Sequence, residues 1–205
     1  MSDRSGLGVP HVRRAGSDDL PAIADALAWA FIDYPWTRWT VPGSELDLPR
    51  LRRLQKAYLT AFALPHGAIW VTPELKSAAV FVRNPASTPE PADWDRITFL
   101  HGSDGIARIE QHEKAAAPLR PHHDWTLASV GTHPYHQGRG YGGAVIAAGL
   151  ADLDARGGTC LLETSTHDNI RLYQRLGFQT VTTVSAIAGS PPVTIMLRRP
   201  SGAAS

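Results

Sequence analysis

Three observations predict a single α/β domain with a mixed, mostly antiparallel sheet flanked by helices. Strand and helix patterns alternate through the second half of the chain and finish on two successive strands. A glycine-rich turn joins the apolar run Trp125–Val130 to a helical pattern, and the 205 residues, 43% apolar and 19% charged, suffice for one sizeable core. The domain is expected over 11–199, with 1–10 disordered or extended and 200–205 a disordered tail.

Taken in order, a short strand at Val12–Arg14 precedes a helix capped by Ser17 or Asp18, in which Leu20, Ile23, Ala24, Leu27 and Phe31 form one apolar stripe. Pro35 ends it, leaving Asp33–Trp39 as a loop dense in aromatics, either a packing lid or a substrate surface. A second helix spans Leu48–Phe62, and strands at Gly67–Val71 and Ser77–Val82 form a hairpin turning near Pro73. Asn84–Pro91, rich in Pro, Ser and Thr, reads as a linker, followed by a helix around Gly105–Ala117. The strand Trp125–Val130 then feeds a helix from Gly140 to Ala155, with Val145, Ile146, Gly149, Leu150 and Leu153 on one face. The strand Thr159–Glu163, a short helix Asn169–Leu176 and strands Phe178–Val184 and Val193–Leu197 complete the pattern.

Composition narrows the function. A formal net charge of +1 offers no basic field for nucleic acid and no polybasic stripe for anionic lipid. No apolar run approaches the roughly 20 residues that span a bilayer, and the first residues lack the apolar core of a secretory signal. A cytoplasmic protein is expected, as a monomer or homodimer. The one cysteine, Cys160, excludes an internal disulfide and lies in an apolar strand, where a buried, inert thiol is expected. The pairs His122-His123 and His133/His136 have no third ligand at metal spacing, so no metal is assigned; His122 and His123 read as a solvated turn after Pro121.

The chemistry is concentrated in His133–Gly143. A helix N-terminus presents unpaired N–H groups and the positive end of the helix dipole, so an anion fits there. Gly138, Gly140, Gly142 and Gly143 allow a phosphate to approach the backbone, and Arg139 adds charge. A tight turn is the plain alternative. No Lys-Ser or Lys-Thr follows Gly143, as a Walker loop requires. Glu163, about twenty residues on, leaves a dinucleotide fingerprint open, although the strand-to-helix linker is long for one.

With Gln137, Gly140 and Gly142 matching its Gln/Arg-x-x-Gly-x-Gly/Ala loop, and Tyr173 followed by Gly177-Phe178, the chain resembles the GNAT superfamily of acetyl-CoA-dependent N-acetyltransferases. From about Val12 to Arg199 it looks most like the puromycin N-acetyltransferase group, through Ala30–Pro35 with Thr37-Arg38, His136–Gly138 with Gly140, Leu162–Ser165, and Asn169 with Tyr173–Phe178. The resemblance implies a GNAT fold with a V-shaped cofactor cleft between two central strands, and acetyl-CoA as co-substrate without a metal. It places pantetheine along Val130, Gly131 and Thr132, with the N–H of Val130 or Gly131 directed at the thioester oxygen, and pyrophosphate on Gln137, Gly138, Arg139, Gly140, Tyr141, Gly142 and Gly143.

Tyr173 is the expected general acid: a phenol near pKa 10 can protonate a departing thiolate, whose thiol lies near 8.5. Packing against Leu172 and Leu176 is the structural alternative. Asn169, where the commoner superfamily pattern has its Asn three residues earlier at the place of Thr166, either caps the last helix or binds pantetheine. Glu163 closes an apolar strand at the mouth of the site, as the base for the amine or as a fixed partner of a substrate ammonium or of Arg171. By resemblance Asp33 and Tyr34 lie near the acceptor, and with Trp36 they suggest a flat hydrophobic amine. The expected reaction is direct transfer to a primary amine of a small molecule, an aminoacyl-type amine as in puromycin among the candidates. A protein or peptide amine, or an acyl-CoA sensor without catalysis, are the rivals.

Overall fold

The computed structural model describes residues 11–185 and 187–200. The expectations for 1–10 and 201–205 lie outside the described residues. Seven strands form one sheet in the order β1-β2-β3-β4-β5-β7-β6: β1 is Arg13–Arg14, β2 Ala68–Val71, β3 Ser77–Arg83, β4 Trp125–Thr132, β5 Cys160–Thr164, β6 Gln179–Val184 and β7 Val193–Arg198. Only β4 and β5 run parallel; every other neighbouring pair is antiparallel. Helices are α1 Leu20–Phe31, α2 Pro35–Thr40, α3 Leu48–Tyr58, α4 Leu64–His66, α5 Pro91–Ala116, α6 Tyr141–Asp154 and α7 His167–Arg175, with a π-helical stretch at Leu59–Ala63 carrying α3 into α4.

Alternation along the strands sends side chains to two faces. On one face Ala79 and Phe81 of β3, Leu127 of β4 and Leu162 of β5 pack with Val145, Ile146 and Leu150 of α6 and with Tyr173 of α7. Ala78, Val80 and Val82 point the other way, onto Leu20, Ile23, Ala24 and Leu27 of α1. Beyond α1 a third cluster joins α3 to α5 through Leu51, Leu54, Ile97 and Leu100. Two glycines set the close approaches. A Cβ on Gly149 would stand 2.1 Å from the Phe81 ring, and one on Gly131 would stand 2.8 Å from both Ala30 and Leu27. Gly131 therefore lets α1 lie directly on β4.

The parallel pair creates the cleft. β4 and β5 are in register only at Trp125↔Cys160 and Thr126↔Leu161, after which the strands part. On its other edge β4 pairs Leu127 with Phe81 and Ser129 with Val80, so Ala128 is an extra residue without a partner, a β-bulge that bends the strand away from β5. The segment Ala128–Thr132 thus presents backbone to the V-shaped gap.

Several expectations are corrected here. Pro35 begins a helix as well as ending one: it occupies the first turn of α2, where its missing N–H costs nothing, so the aromatic stretch is helical from Pro35 to Thr40. The helix anticipated at Gly105–Ala117 starts fourteen residues earlier, at Pro91, and is broken at Gly102, whose φ of 75° no helix contains. His123 is buried: its Nδ1 donates to the Pro121 carbonyl at 2.8 Å and its Nε2 faces Thr126 Oγ1 at 3.3 Å, while His122 remains exposed.

Candidate active site

Between β4 and α6 the chain makes a 3-10 turn at Pro134–His136 and passes Gly138 and Gly140 at φ 74° and 79°, dihedrals that favour glycine. Gly140 is the residue before the helix. Among the described residues the amides from Gly138 to Gly143 donate to no turn or loop carbonyl, and Ala144 N, bonded to Gly140 O at 3.0 Å, is the first that does. This leaves a row of N–H donors at the positive end of a 14-residue helix. A Cβ at Gly138, Gly140 or Gly143 would meet nothing within 4 Å, so the space above them is open. Gln137 turns its side chain inward, donating from Nε2 to Thr132 O at 3.1 Å, and so ties the loop to the end of β4. These features fit a pyrophosphate; Arg139 is exposed beside them.

The V-shaped gap opens into a cavity of about 520 Å³ that crosses the sheet. Ala128, Ser129 and Val130 of β4, Glu163 and Thr164 of β5 and Asn169 and Tyr173 of α7 form one part of its wall; Phe31, Tyr34, Trp36, Tyr58 and Phe62 form an aromatic part. Tyr173 is almost completely buried and packs edge-on to Phe178. Its hydroxyl makes no hydrogen bond among the described residues. Burial, and in second place the nearby Tyr34, push its pKa well above the usual phenol value, so it stays protonated at physiological pH. Tyr34 Oη accepts from Ser165 N at 2.9 Å and bonds Thr164 Oγ1 at 3.1 Å, pinning the end of β5 across the cleft from α1.

Thr166, rather than Asn169, caps α7: its Oγ1 accepts from Asn169 N at 3.4 Å. The Asn169 side chain is left facing the cavity. Asp33 is not brought to the site. Its carboxylate is largely exposed and pairs with Arg38 at 3.0 Å, an ion pair in water that adds little. Tyr34 and Trp36 do line the cavity, and Trp36 stands edge-on to His112 at 4.6 Å.

Glu163 is held on both oxygens. Arg120 Nε donates to Oε1 at 2.6 Å and His112 Nε2 to Oε2 at 2.9 Å, while Arg120 NH1 also reaches Glu113 at 2.5 Å. Arg171, the partner considered from sequence, pairs with Asp168 instead. Burial alone would raise the Glu163 pKa, but the hydrogen bonds from His112 and Arg120 outweigh it and hold the carboxyl below its ordinary value. The Nδ1 of His112 is buried with no partner among the described residues. Neither Arg120 nor His112 was anticipated: they lie 43 and 51 residues from Glu163, and nothing local in the sequence links them. The same holds for Tyr58 and His101, whose side chains meet at 2.8 Å on the far wall.

Cys160 begins β5 with its side chain buried, and burial pushes its thiol up to about 12, which leaves it unreactive. Among the described residues no three His, Cys, Asp or Glu side chains gather to hold a metal ion, and no helix is long and apolar enough to cross a membrane.

Comparison with known proteins bears on the fold. The family model described as FR47-like protein matches residues 103–186, the segment that holds the loop, β5 and α7. A crystal structure described as histone acetyltransferase HPA2 and related acetyltransferase, from Corynebacterium glutamicum ATCC 13032, is 25% identical, covers 97% of this chain and 100% of its own, and superposes with a TM-score of 0.73. yncA, a putative acetyltransferase from Salmonella typhimurium solved with its cofactor acetyl-CoA, is 18% identical over 97% of this chain and 98% of its own, TM-score 0.53. Arylalkylamine N-acetyltransferase 2 from Aedes aegypti shares the fold at 12% identity, TM-score 0.57, over 95% of this chain and 100% of its own. The fold is that of the GNAT acetyltransferases.

Proposed function

We propose that this chain, an acetyltransferase of the GNAT type, moves an acetyl group from acetyl-CoA to a primary amine of a small molecule, an aminoacyl-type amine such as that of puromycin. The observation that carries the reading is one cavity joining the bulged β4 edge and Tyr173 to an aromatic wall made by Phe31, Tyr34, Trp36, Tyr58 and Phe62. An aromatic acceptor fits such a wall better than an extended peptide, which would need an open groove.

The residues divide the work. Amides of Gly138–Gly143 hold the pyrophosphate, and Gln137 keeps their loop on β4. Backbone of Ala128–Thr132 pairs with the pantetheine arm, and an N–H of this segment, at Val130 or Gly131, donates to the thioester oxygen as it becomes an oxyanion. Asn169, freed from capping by Thr166, binds the same arm. The neutral amine attacks the carbonyl carbon, the carbon–sulfur bond breaks, and Tyr173 gives its proton to the sulfur. The proton lost by the amine leaves through water and replaces the one that Tyr173 gave.

Glu163 orients the ammonium form of the acceptor. With Arg120 and His112 on its oxygens it is a stable anion and a weak base, and an α-amino group near pKa 8 already has a fair neutral fraction at neutral pH. Among the described residues no cysteine lines the cavity and neither Ser129 nor Ser165, which do, has its hydroxyl bonded to a base, so transfer is direct, in a ternary complex.

The acceptor class is tested by comparing kcat/KM for puromycin, an arylalkylamine and a short peptide with a free N-terminus. The reading expects the aromatic small amines to lead. A peptide preferred by more than an order of magnitude would replace it with a protein N-acetyltransferase.

A further inference from the structure

On the wall of the cavity opposite Tyr173, the direction of one hydrogen-bond chain is fixed by chemistry. His101 Nδ1 lies 2.8 Å from the Thr40 carbonyl oxygen, which can only accept, so Nδ1 carries a proton. Burial, and then the charge of Arg50, hold His101 below its ordinary pKa against the opposing hydrogen bond to Thr40, so the ring is neutral and Nε2 is a bare acceptor. Nε2 lies 2.8 Å from Tyr58 Oη, which must therefore donate its only proton there. What Tyr58 offers the cavity is an oxygen with lone pairs and no proton.

That oxygen sits in aromatic surroundings. Tyr58 stacks on Phe62 at 6.1 Å and packs at the α3–α5 cluster, whereas Tyr173 belongs to the cluster beneath α6; both line the same cavity. Gln55, one turn earlier on α3, lines the cavity with Tyr58, so a polar group of an occupant that reaches this wall meets Tyr58 or Gln55, and Tyr58 is the one whose direction is fixed. A group with a proton to give gains a hydrogen bond, and an ether or carbonyl oxygen meets only lone pairs.

We propose that Tyr58, oriented by His101 and Thr40, selects acceptor amines that carry a hydroxyl or N–H on the end away from the transferred amine, and disfavours those with an ether oxygen there. His101 is the positioning residue, because it acts only through Tyr58. The inference rests on the small aromatic amine reading above and narrows it: puromycin, whose aminoacyl ring ends in a methyl ether, is then an acceptor that binds more weakly than its free-hydroxyl counterpart.

The test compares three amines of one shape, L-phenylalaninamide, L-tyrosinamide and O-methyl-L-tyrosinamide, by calorimetric Kd on the whole protein with CoA present. Tyrosinamide is expected to bind about three- to tenfold tighter than phenylalaninamide, the worth of one hydrogen bond, and the methyl ether no tighter than phenylalaninamide. In Tyr58→Phe the hydroxyl preference falls to about one. In His101→Leu the Tyr58 proton is free to turn into the cavity, and the methyl ether gains relative to phenylalaninamide. Wild type binding all three equally, or a hydroxyl preference that survives in Tyr58→Phe, overturns the role of Tyr58 and leaves the aminoacyl reading standing. Failure of all three to bind overturns that reading and the inference with it. The wild-type ranking decides even where a variant does not fold.

Discussion

Arg120 Nε and Glu163 Oε1 meet at 2.6 Å on the cavity wall, with His112 bonded to the other oxygen of the same carboxylate. A carboxylate held this way is a fixed negative charge and a poor proton acceptor. Glu163→Gln is expected to raise KM for the amine about three- to tenfold, as loss of one hydrogen bond does, and to leave kcat within a few-fold. Its kcat/KM should still rise with pH along the acceptor's own amine titration. Steady-state kinetics between pH 6 and 9 decide the matter: a loss of about a hundredfold in kcat at unchanged KM would make Glu163 the base after all.

Tyr173 carries the opposite expectation. Its burial keeps the phenol protonated, so Tyr173→Phe should cut kcat by about a hundredfold or more, the usual worth of general acid catalysis. Affinity for acetyl-CoA, read by calorimetry, should be unchanged. Full turnover in this variant would remove Tyr173 from the reaction and leave it a packing residue against Phe178.

Two glycines of α6 separate stability from binding. Gly149→Ala puts a methyl group 2.1 Å from the Phe81 ring, an overpacking expected to cost about 1–3 kcal/mol or more in denaturant titration. Gly143→Ala meets nothing within 4 Å, so its melting temperature should match wild type. Its CoA affinity should fall, because the added methyl group stands where the pyrophosphate is proposed to sit.

Acid should destabilise the fold in a defined window. Asp19, lowered to about 2 chiefly by its hydrogen bond from Arg13, together with Asp124 and Glu163, has a folded-state pKa below its unfolded one. Their contribution is complete above the unfolded carboxylate values near 4 and is lost as pH falls through the folded ones. Melting temperature should begin to fall below about pH 6.5, where the unfolded chain protonates His101 and the fold resists it, and drop further below about 4. Because Asp19 and Asp124 are screened by solvent, Glu163→Gln should flatten the drop more than Asp19→Asn does.

The fold was legible where the pattern was local. The continuous apolar run Ala78–Val82, the glycines after Gln137 and the apolar stripe of α6 each specify their own element. The limits of α5 were not legible, because Trp94-Asp95-Arg96-Ile97 shows no stripe until α3 packs against Ile97 and Leu100. In the candidate site, the glycine-rich loop before α6 and the helix carrying Tyr173 could be read because each is a consecutive segment. The partners of Glu163 and the Tyr58–His101–Thr40 chain could not, since long-range contacts among α2, α3, α5 and β5 create them and no spacing encodes them. Asp33 shows the converse: its neighbours Tyr34 and Trp36 face the cavity, but one residue's displacement around the turn sends its carboxylate to solvent and Arg38.

Acetyl transfer itself is tested most directly by incubating the protein with acetyl-CoA and puromycin and following thiol release together with product mass. The account predicts thiol released in step with a product heavier by one acetyl group, at a rate set by enzyme concentration. Acetyl-CoA that binds but releases no thiol with puromycin or any amine of the panel would contradict it, and would make this chain an acyl-CoA-binding protein without transferase activity.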